Sequence, residues 1–343
     1  MPSGANVNDS DSSGDDRPSK VAMVNTSPTA DTIVGDALLG GRWRLDEPIG
    51  SGGMGEVWRA HHDALGRVAA IKVVRSAHAS DRGRLLQEAQ VLASIRHPAV
   101  VEVFDCGEHA GFGFYVMELL EGRTLGARLR SQGPMTPRAA VDLLVPILDG
   151  LDAAHAAGVI HRDVKPENVF LVKTPSGEQA KLIDFGIARV RGSAPRWTVA
   201  GELIGTPDYM APEQLHGGEP DARTDVWAIG ATVYEAIVGK APFEADDFAA
   251  TLHRVLHEPP PRIVKPPVDE ALWLLLCRAL AKSAAARFPT ASSFADHLRA
   301  WSRGADRGAA AVARTQPSLA DAPSPDPLRG SLDVLLRGKL TPK

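Results

Sequence analysis

Cysteines, aromatic residues and long apolar segments are all scarce in this sequence, and two of these shortages exclude whole classes of protein. The 343 residues include only two cysteines, Cys106 and Cys277, which excludes a disulfide scaffold or a cysteine-rich zinc module and fits a reducing compartment. No run reaches the roughly 18 apolar residues that a membrane span needs. The closest run, 226–239, is interrupted by Tyr234 and Glu235. The sequence therefore predicts a cytoplasmic protein without a membrane partner.

Net charge is also small, and it is unevenly distributed. The formal value of −4 argues against a strongly basic nucleic-acid-binding protein. Residues 1–40 hold six Asp and two basic residues, whereas residues 302–343 hold seven basic residues and four Asp. Both segments are poor in core-forming residues, so we expect an acidic and a basic disordered tail around a folded region at 41–301.

The folded region changes character near residue 120. Before it, short apolar runs bounded by Gly or Asp predict strands at 43–49, 57–61, 67–74, 101–105 and 112–118. One helix, 81–96, interrupts them. After it, helices are predicted at 136–157, 224–238, 246–257, 269–281 and 290–301, the first capped by Thr136 and kinked at Pro146.

This arrangement predicts an α+β fold class with two lobes. The strand-rich lobe, 41–120, would be an antiparallel sheet with one helix, and the lobe at 121–301 would be mainly helical. A cleft between two lobes is a favoured place for a ligand.

A glycine-rich string opens the strand-rich lobe. Gly50, Gly52 and Gly55 stand at offsets 0, 2 and 5, a spacing that lets backbone amides approach a phosphate. The same spacing also fits an ordinary glycine-rich hairpin. A strand-like run at 57–60 follows the glycines, where a dinucleotide-binding fold would require a helix, so we exclude that fold.

Lys72 lies within the apolar run 68–74, which is unusual because lysine is seldom buried without a partner. Alternation with Ile71 and Val73 turns its side chain toward the glycine-rich hairpin, where it could neutralise a phosphate. Glu88 in the next helix could pair with it. Each residue taken alone would also fit a solvated surface.

The string 159–169 carries the strongest local signal. In it, Asp163 can accept a proton from an attacking hydroxyl, and Lys165 can stabilise charge on a transferring phosphoryl group. Asn168 offers an oxygen of the kind that Mg²⁺ binds, as does Asp184 at the end of a strand-like run. His161 is interpreted as a packed structural residue.

In the segment 205–213, Glu213 has Arg287 as a candidate partner. Together with this segment, the strings above resemble the eukaryotic-like (Hanks-type) Ser/Thr protein kinases of bacteria. The resemblance covers about residues 43–301, with all motifs in the family's order. It implies Gly50, Gly52 and Gly55 over the phosphates of ATP, and Lys72 on the α- and β-phosphates and paired with Glu88. It also implies Asp163 as catalytic base, Lys165 at the γ-phosphate, and Asn168 and Asp184 on Mg²⁺. Other nucleotide contacts that it implies are Ile49, Ser51, Gly53, Met54, Val57, Ala70, the gatekeeper Met117 and, in the hinge, Glu118 and Leu120.

The implied activity is Mg²⁺- and ATP-dependent phosphorylation of Ser and Thr in protein substrates. A catalytically silent scaffold of the same fold is the alternative, although such proteins usually lose one of the residues that are all present here. A small-molecule phosphotransferase is a third hypothesis. The segment 205–213 argues against it, because this segment resembles the loop that docks protein substrates.

Regulation is expected in the segment 187–204. Phosphate on Thr198, or secondarily on Ser193, would add negative charge near Arg162 and could order the loop. A second copy of the chain is an expected partner for this phosphorylation in trans. Thr206 ranks lower because its family role is packing near the substrate.

Overall fold

The structure, a computed structural model, describes residues 36–52, 55–74, 79–175, 177–185, 207–264 and 268–304. Its first part is a six-stranded antiparallel sheet with the order β1-β2-β3-β4-β6-β5 and one helix, α1, Ala79–Ser94. The strands are β1 Leu38–Leu39, β2 Trp43–Gly52, β3 Gly55–His62, β4 Val68–Val74, β5 Val103–His109 and β6 Phe112–Met117.

The second part is mainly helical, with one small sheet near its start. That sheet contains β7 Gly122–Thr124, β8 Val169–Thr174 and β9 Gly177–Leu182. The helices are α2 Leu125–Gln132, α3 Pro137–Ala156, α4 Pro212–Leu215, α5 Ala222–Val238, α6 Phe248–His257, α7 Glu270–Ala279 and α8 Ala291–Ser302.

Helix α5 lies at the centre of this part, because it is apolar on nearly every side and packs against α3, α7 and α8. Val226, Ile229, Val233 and Ile237 are fully or almost fully buried along it. Burial all round is what an apolar helix without a polar face requires. This helix holds one end of the loop that contains Asp163, as described below.

The predicted α+β architecture with two lobes is confirmed, and most predicted elements appear within a few residues. Helix α3 begins where Thr136 caps it, since the Thr136 side chain accepts a hydrogen bond from the amide of Ala139. The helix continues through Pro146 to Ala156.

Two predictions about elements were wrong. Strand β5 begins at Val103 and not at 101, because the amide of Val101 donates to the carbonyl of Leu182 and ties this residue to β9. The strands β7 and β8 and helix α2 were also missed, because strands of three to six residues between longer helices carry little periodic signal.

The predicted tails lie almost wholly outside the described residues, which begin at Asp36 and end at Gly304. Within the described part of the chain, every helix is too short or too polar to cross a bilayer.

Candidate active site

Strand β4 holds Lys72 in a nearly enclosed position, with 8% of the residue exposed. Its register places Lys72 directly opposite Val57, at the end of the glycine-rich string. The Nζ atom lies 2.7 Å from Oδ1 of Asp184. A buried ammonium requires such a partner, so this ion pair links the sheet to the segment after β9. The expected pair between Lys72 and Glu88 stays a prediction.

The glycine-rich string is the β2–β3 hairpin, with Gly50 paired to Val57 and Gly52 to Gly55. Gly55 has φ +145°, and a Cβ atom there would lie 2.0 Å from the carbonyl oxygen of Val73. Only glycine allows this close approach of two backbones. A strand follows the glycines, as expected, and Gly53 and Met54 lie outside the described residues.

The loop between α3 and β8 gathers three polar side chains. Nζ of Lys165 lies 3.1 Å from Oδ2 of Asp163. Nδ2 of Asn168 donates both to that oxygen, at 3.1 Å, and to the carbonyl of Asp163, at 2.7 Å. Two donors therefore orient one carboxylate oxygen, and the use of Nδ2 as a donor turns the amide oxygen of Asn168 toward other partners.

Asp225 of α5 holds the backbone of this loop just before Asp163. It is fully buried, and its two oxygens accept hydrogen bonds of 2.8 Å from the backbone amides of His161 and Arg162. Nε2 of His155 lies 2.7 Å from Oδ2 of the same carboxylate. Arg162 has φ +65°, a left-handed conformation that is uncommon for a residue with a side chain. The buried carboxylate stabilises this turn and so fixes the start of the segment that carries Asp163.

His161 is structural, as predicted. The ring is fully buried, packs on Phe185 at a centroid distance of 4.5 Å, and has Nε2 at 3.1 Å from the carbonyl of Ile183. Burial lowers the pKa of His161, which keeps the imidazole neutral. Through this contact the loop that carries Asp163 touches the segment that carries Asp184.

Asp184 follows β9 and has φ +54°. The hydroxyl of Tyr115 also approaches its Oδ1 atom, at 3.5 Å. Burial and the Asp184 carboxylate raise the pKa of Tyr115 well above its ordinary value, so the phenol stays protonated.

The donor set fits a magnesium ion held jointly with phosphates. Mg²⁺ usually takes one or two carboxylates together with substrate phosphates and waters. Asp184 and Asn168 supply oxygens of the right kind. Within the described ranges, no group of three or more His, Cys, Asp or Glu residues is arranged to hold a metal ion.

Glu118, directly after β6, has its carboxylate and its backbone amide bonded within the protein. Oε1 of Glu118 lies 2.5 Å from Nζ of Lys181 and accepts from the amide of Glu102 at 2.9 Å. The Glu118 amide donates to the Glu102 carbonyl at 3.0 Å. A nucleotide base that binds at this segment would therefore meet main-chain atoms of 118–120 other than the Glu118 amide, rather than the Glu118 side chain. Met117, at the end of β6, is buried.

The predicted pair between Glu213 and Arg287 is confirmed. Nη1 and Nη2 of Arg287 each lie 2.8 Å from one carboxylate oxygen of Glu213, and Thr224 donates to the same carboxylate at 2.8 Å. Burial alone would raise the pKa of Glu213, but the Arg287 contacts outweigh it and lower that pKa. Residues 186–206, which include Thr198, Ser193 and Thr206, lie outside the described residues.

The sequence analysis missed the roles of Asp225, His155 and Tyr115. Asp225 did carry a usable signal, since a carboxylate in the most apolar helix of the chain must have strong partners. Tyr115 carried none, because an aromatic residue in a buried strand is ordinary.

Comparisons with known proteins agree on one family. The model of the protein kinase domain matches residues 43–297. The chain is 36% identical over 325 residues to the serine/threonine-protein kinase Pkn1 of Myxococcus xanthus, which covers 90% of this chain and 46% of that protein. It is 40% identical to the serine/threonine-protein kinase pkn2 of the same organism, in an alignment that covers 77% of this chain and 33% of that protein. It is 39% identical to the serine/threonine-protein kinase PknA of Mycobacterium tuberculosis, with 76% and 62% covered. The chain thus spans between 33% and 62% of the length of these relatives.

Proposed function

Because the chain belongs to the protein kinase domain family, we propose that it is a serine/threonine protein kinase that transfers the γ-phosphoryl group of ATP to protein hydroxyl groups. One observation carries the proposal: two carboxylates, Asp163 and Asp184, are each oriented by a lysine and lie in segments joined through His161. Phosphoryl transfer depends mainly on such positioning and on neutralised charge.

Asp163 acts on the acceptor hydroxyl. Its Oδ2 atom is held by Lys165 and Asn168, so the carboxylate has a defined direction in which to accept the proton of a Ser or Thr. The ammonium group of Lys165 lies beside it and stabilises negative charge on the group being transferred. The nucleophile, the base and the phosphoryl group are thereby brought together without covalent catalysis.

Lys72 and the hairpin hold the nucleotide. The ammonium group of Lys72 provides the positive charge for the α- and β-phosphates, and Glu88 would orient it. The β2–β3 hairpin covers the phosphates through Gly50, Gly52 and Gly55, and we propose Gly53 and Met54, which lie outside the described residues, as further nucleotide contacts. The adenine base of ATP lies between two groups of residues. Ile49, Val57 and Ala70 are on one side, and the segment of Met117, Glu118 and Leu120 is on the other.

We assign Mg²⁺ to the oxygens of Asn168 and Asp184. Bound there with ATP, the ion would neutralise charge on the β- and γ-phosphates. The chain's own contribution is to keep both side chains oriented, Asn168 through its bonds to Asp163 and Asp184 through its ion pair with Lys72.

The preference for Ser and Thr rests on Lys165, on the 205–207 string and on the relatives, which are serine/threonine-protein kinases by name. We propose protein substrates, a cytoplasmic location without nucleic-acid or membrane partners, and a second copy of the chain for phosphorylation in trans. A catalytically silent scaffold remains the alternative hypothesis, in which nucleotide would bind without transfer.

Incorporation of labelled phosphate from ATP into a generic basic protein substrate tests the proposal. The full chain is compared with Asp163→Asn, and Asp63→Asn, an exposed residue of the β3–β4 turn, is the matched control. We expect Asp163→Asn to lower the rate of phosphate incorporation about 10²- to 10⁴-fold. Asp63→Asn should have the wild-type rate. Equal incorporation by wild type and Asp163→Asn would contradict the proposal, and nucleotide binding without any transfer would favour the scaffold.

Autophosphorylation in 187–204 is the second part of the proposal, with Thr198 first and Ser193 second. Arg162, which precedes the catalytic base, is the cation that a phosphate there would contact. Phosphate mapping of the wild-type chain beside Thr198→Ala tests it. Full activity of Thr198→Ala, with no phosphate at this position in the wild type, would show the assignment to be wrong.

A further inference from the structure

Tyr115 reaches the candidate active site from the interior of the six-stranded sheet. It lies on β6 directly opposite Lys72 of β4, so both side chains leave the same face. Only 3% of Tyr115 is exposed. Its hydroxyl lies 3.5 Å from Oδ1 of Asp184, the atom that also lies 2.7 Å from Nζ of Lys72.

A phenol so deeply buried needs a hydrogen-bond partner for its hydroxyl. In this protein that partner is the carboxylate of Asp184. Asp184 stands just beyond the end of β9 in a left-handed conformation, with φ +54°. Two donors from adjacent strands of one sheet therefore converge on one oxygen atom of Asp184.

We propose that Tyr115 is a positioning residue for Asp184. Its hydroxyl and the ammonium group of Lys72 hold Oδ1 between them and thereby leave the second carboxylate oxygen for the metal ion that accompanies ATP. This inference rests on the proposed function only in assigning Mg²⁺ to Asp184. It adds a residue that the kinase motifs do not include.

The substitution Tyr115→Phe removes one oxygen atom and keeps the packing volume of the ring. We expect the Mg²⁺ concentration that gives half-maximal ATP affinity to rise about three- to tenfold, the range for loss of one hydrogen bond of ordinary strength, because the contact is as long as 3.5 Å. Calorimetric titration of the full chain with ATP over a series of Mg²⁺ concentrations measures this. Adenosine carries no phosphate and needs no metal, so its affinity should stay within about twofold of the wild-type value, since the loss of the hydroxyl leaves the base pocket intact.

Tyr234→Phe is the matched control. Tyr234 is also buried, but its hydroxyl donates to the carbonyl of Pro261 at 3.1 Å, within the helical lobe. We expect this variant to have the Mg²⁺ dependence of the wild type. A role for Tyr115 in general packing would weaken adenosine and ATP binding together, and that outcome would overturn the proposal.

An unchanged Mg²⁺ dependence in Tyr115→Phe would also overturn it. Phosphate transfer, measured in the same preparations, separates this inference from the proposed function. If Tyr115→Phe shifts the Mg²⁺ dependence of ATP binding as expected but the wild type transfers no phosphate, the kinase assignment fails while the role of Tyr115 stands. If it transfers phosphate and Tyr115→Phe is indistinguishable from it, only the role of Tyr115 fails.

Discussion

Arg287 and Glu213, which lie 74 positions apart in the chain, form a two-pronged ion pair inside the helical lobe. The side chain of Arg287 is completely enclosed, and its guanidinium also donates to the carbonyls of Ala281, Arg223 and Lys282. The planar, forked geometry of arginine allows all these bonds at once, whereas a lysine ammonium group cannot reproduce them. The pair connects the end of the 205–213 string to the loop before α8.

We predict that Arg287→Lys lowers the free energy of unfolding by about 3 kcal/mol, because a lysine cannot replace all the bonds that Arg287 makes to the half-buried Glu213 carboxylate and to three backbone carbonyls. Urea denaturation measures the loss. Arg96→Lys is the control, since Arg96 pairs with Glu102 on the surface and such pairs are worth at most about 1 kcal/mol. Equal losses in the two variants would contradict the prediction.

Asp225→Asn should impair both stability and catalysis. An amide can accept on only one of its two positions, so at least one of the bonds to the amides of His161 and Arg162 is lost. We expect a loss of about 3 kcal/mol in the free energy of unfolding. We also expect kcat to fall about tenfold, as a displaced catalytic group would cause, with the KM for ATP nearly unchanged.

Asp221→Asn, on the same helix, controls for this experiment. Asp221 caps the N-terminus of α5, and Asn is an equally good cap. It should therefore change the free energy of unfolding by less than about 1 kcal/mol. A wild-type kcat in Asp225→Asn would show that the buried carboxylate does not position Asp163.

Gly55→Ala should destabilise the β2–β3 hairpin and weaken ATP binding. The added Cβ would meet the carbonyl oxygen of Val73 at 2.0 Å, and the φ of +145° strains any residue with a side chain. Strain of this kind costs about 1–3 kcal/mol. Thermal unfolding and calorimetric ATP titration measure the two effects.

Gly50→Ala provides the structural comparison, because its Cβ would meet only the Cβ of Val57, at 3.8 Å. It should leave the unfolding temperature unchanged. A comparable drop in both variants would show that the clash with β4 does not determine the effect.

Stability should depend on pH through Glu235. Burial, together with the nearby carboxylates of Glu167, Glu244 and Asp208, raises the pKa of Glu235 to about 7, although a hydrogen bond from Tyr209 opposes this. Between the ordinary pKa of a glutamate and pH 7, the native state thus binds a proton that the unfolded state has released. The free energy of unfolding must therefore decrease as the pH rises through this window.

Glu235→Gln is neutral at every pH and keeps an oxygen for the Tyr209 hydroxyl. We expect the decrease in stability between about pH 5 and pH 8 to become smaller in this variant. Urea denaturation at each pH tests this, with Glu219→Gln as an exposed control. A pH profile of Glu235→Gln that parallels the wild-type profile would rule out the assignment.

Much of the architecture follows from local patterns. The strands around Lys72 and the helices α3, α5 and α8 were predicted within about two residues, because alternation and helical spacing are properties of neighbouring residues. The short strands β7 and β8 escaped, since three to six residues become strands only where a partner strand is present.

The sequence by itself determined the family, the order of the motifs and the candidate residues Lys72, Asp163, Asn168 and Asp184, because each motif is a contiguous string. Only the tertiary structure decided which groups orient them. Asp225 is 63 residues away from Arg162, whose amide donates to it, and Tyr115 is 69 residues away from Asp184, yet both pairs of groups meet. A buried polar group requires a partner, but it places no condition on where in the sequence that partner stands. The identity of the partner is therefore a property of packing and not of any local pattern.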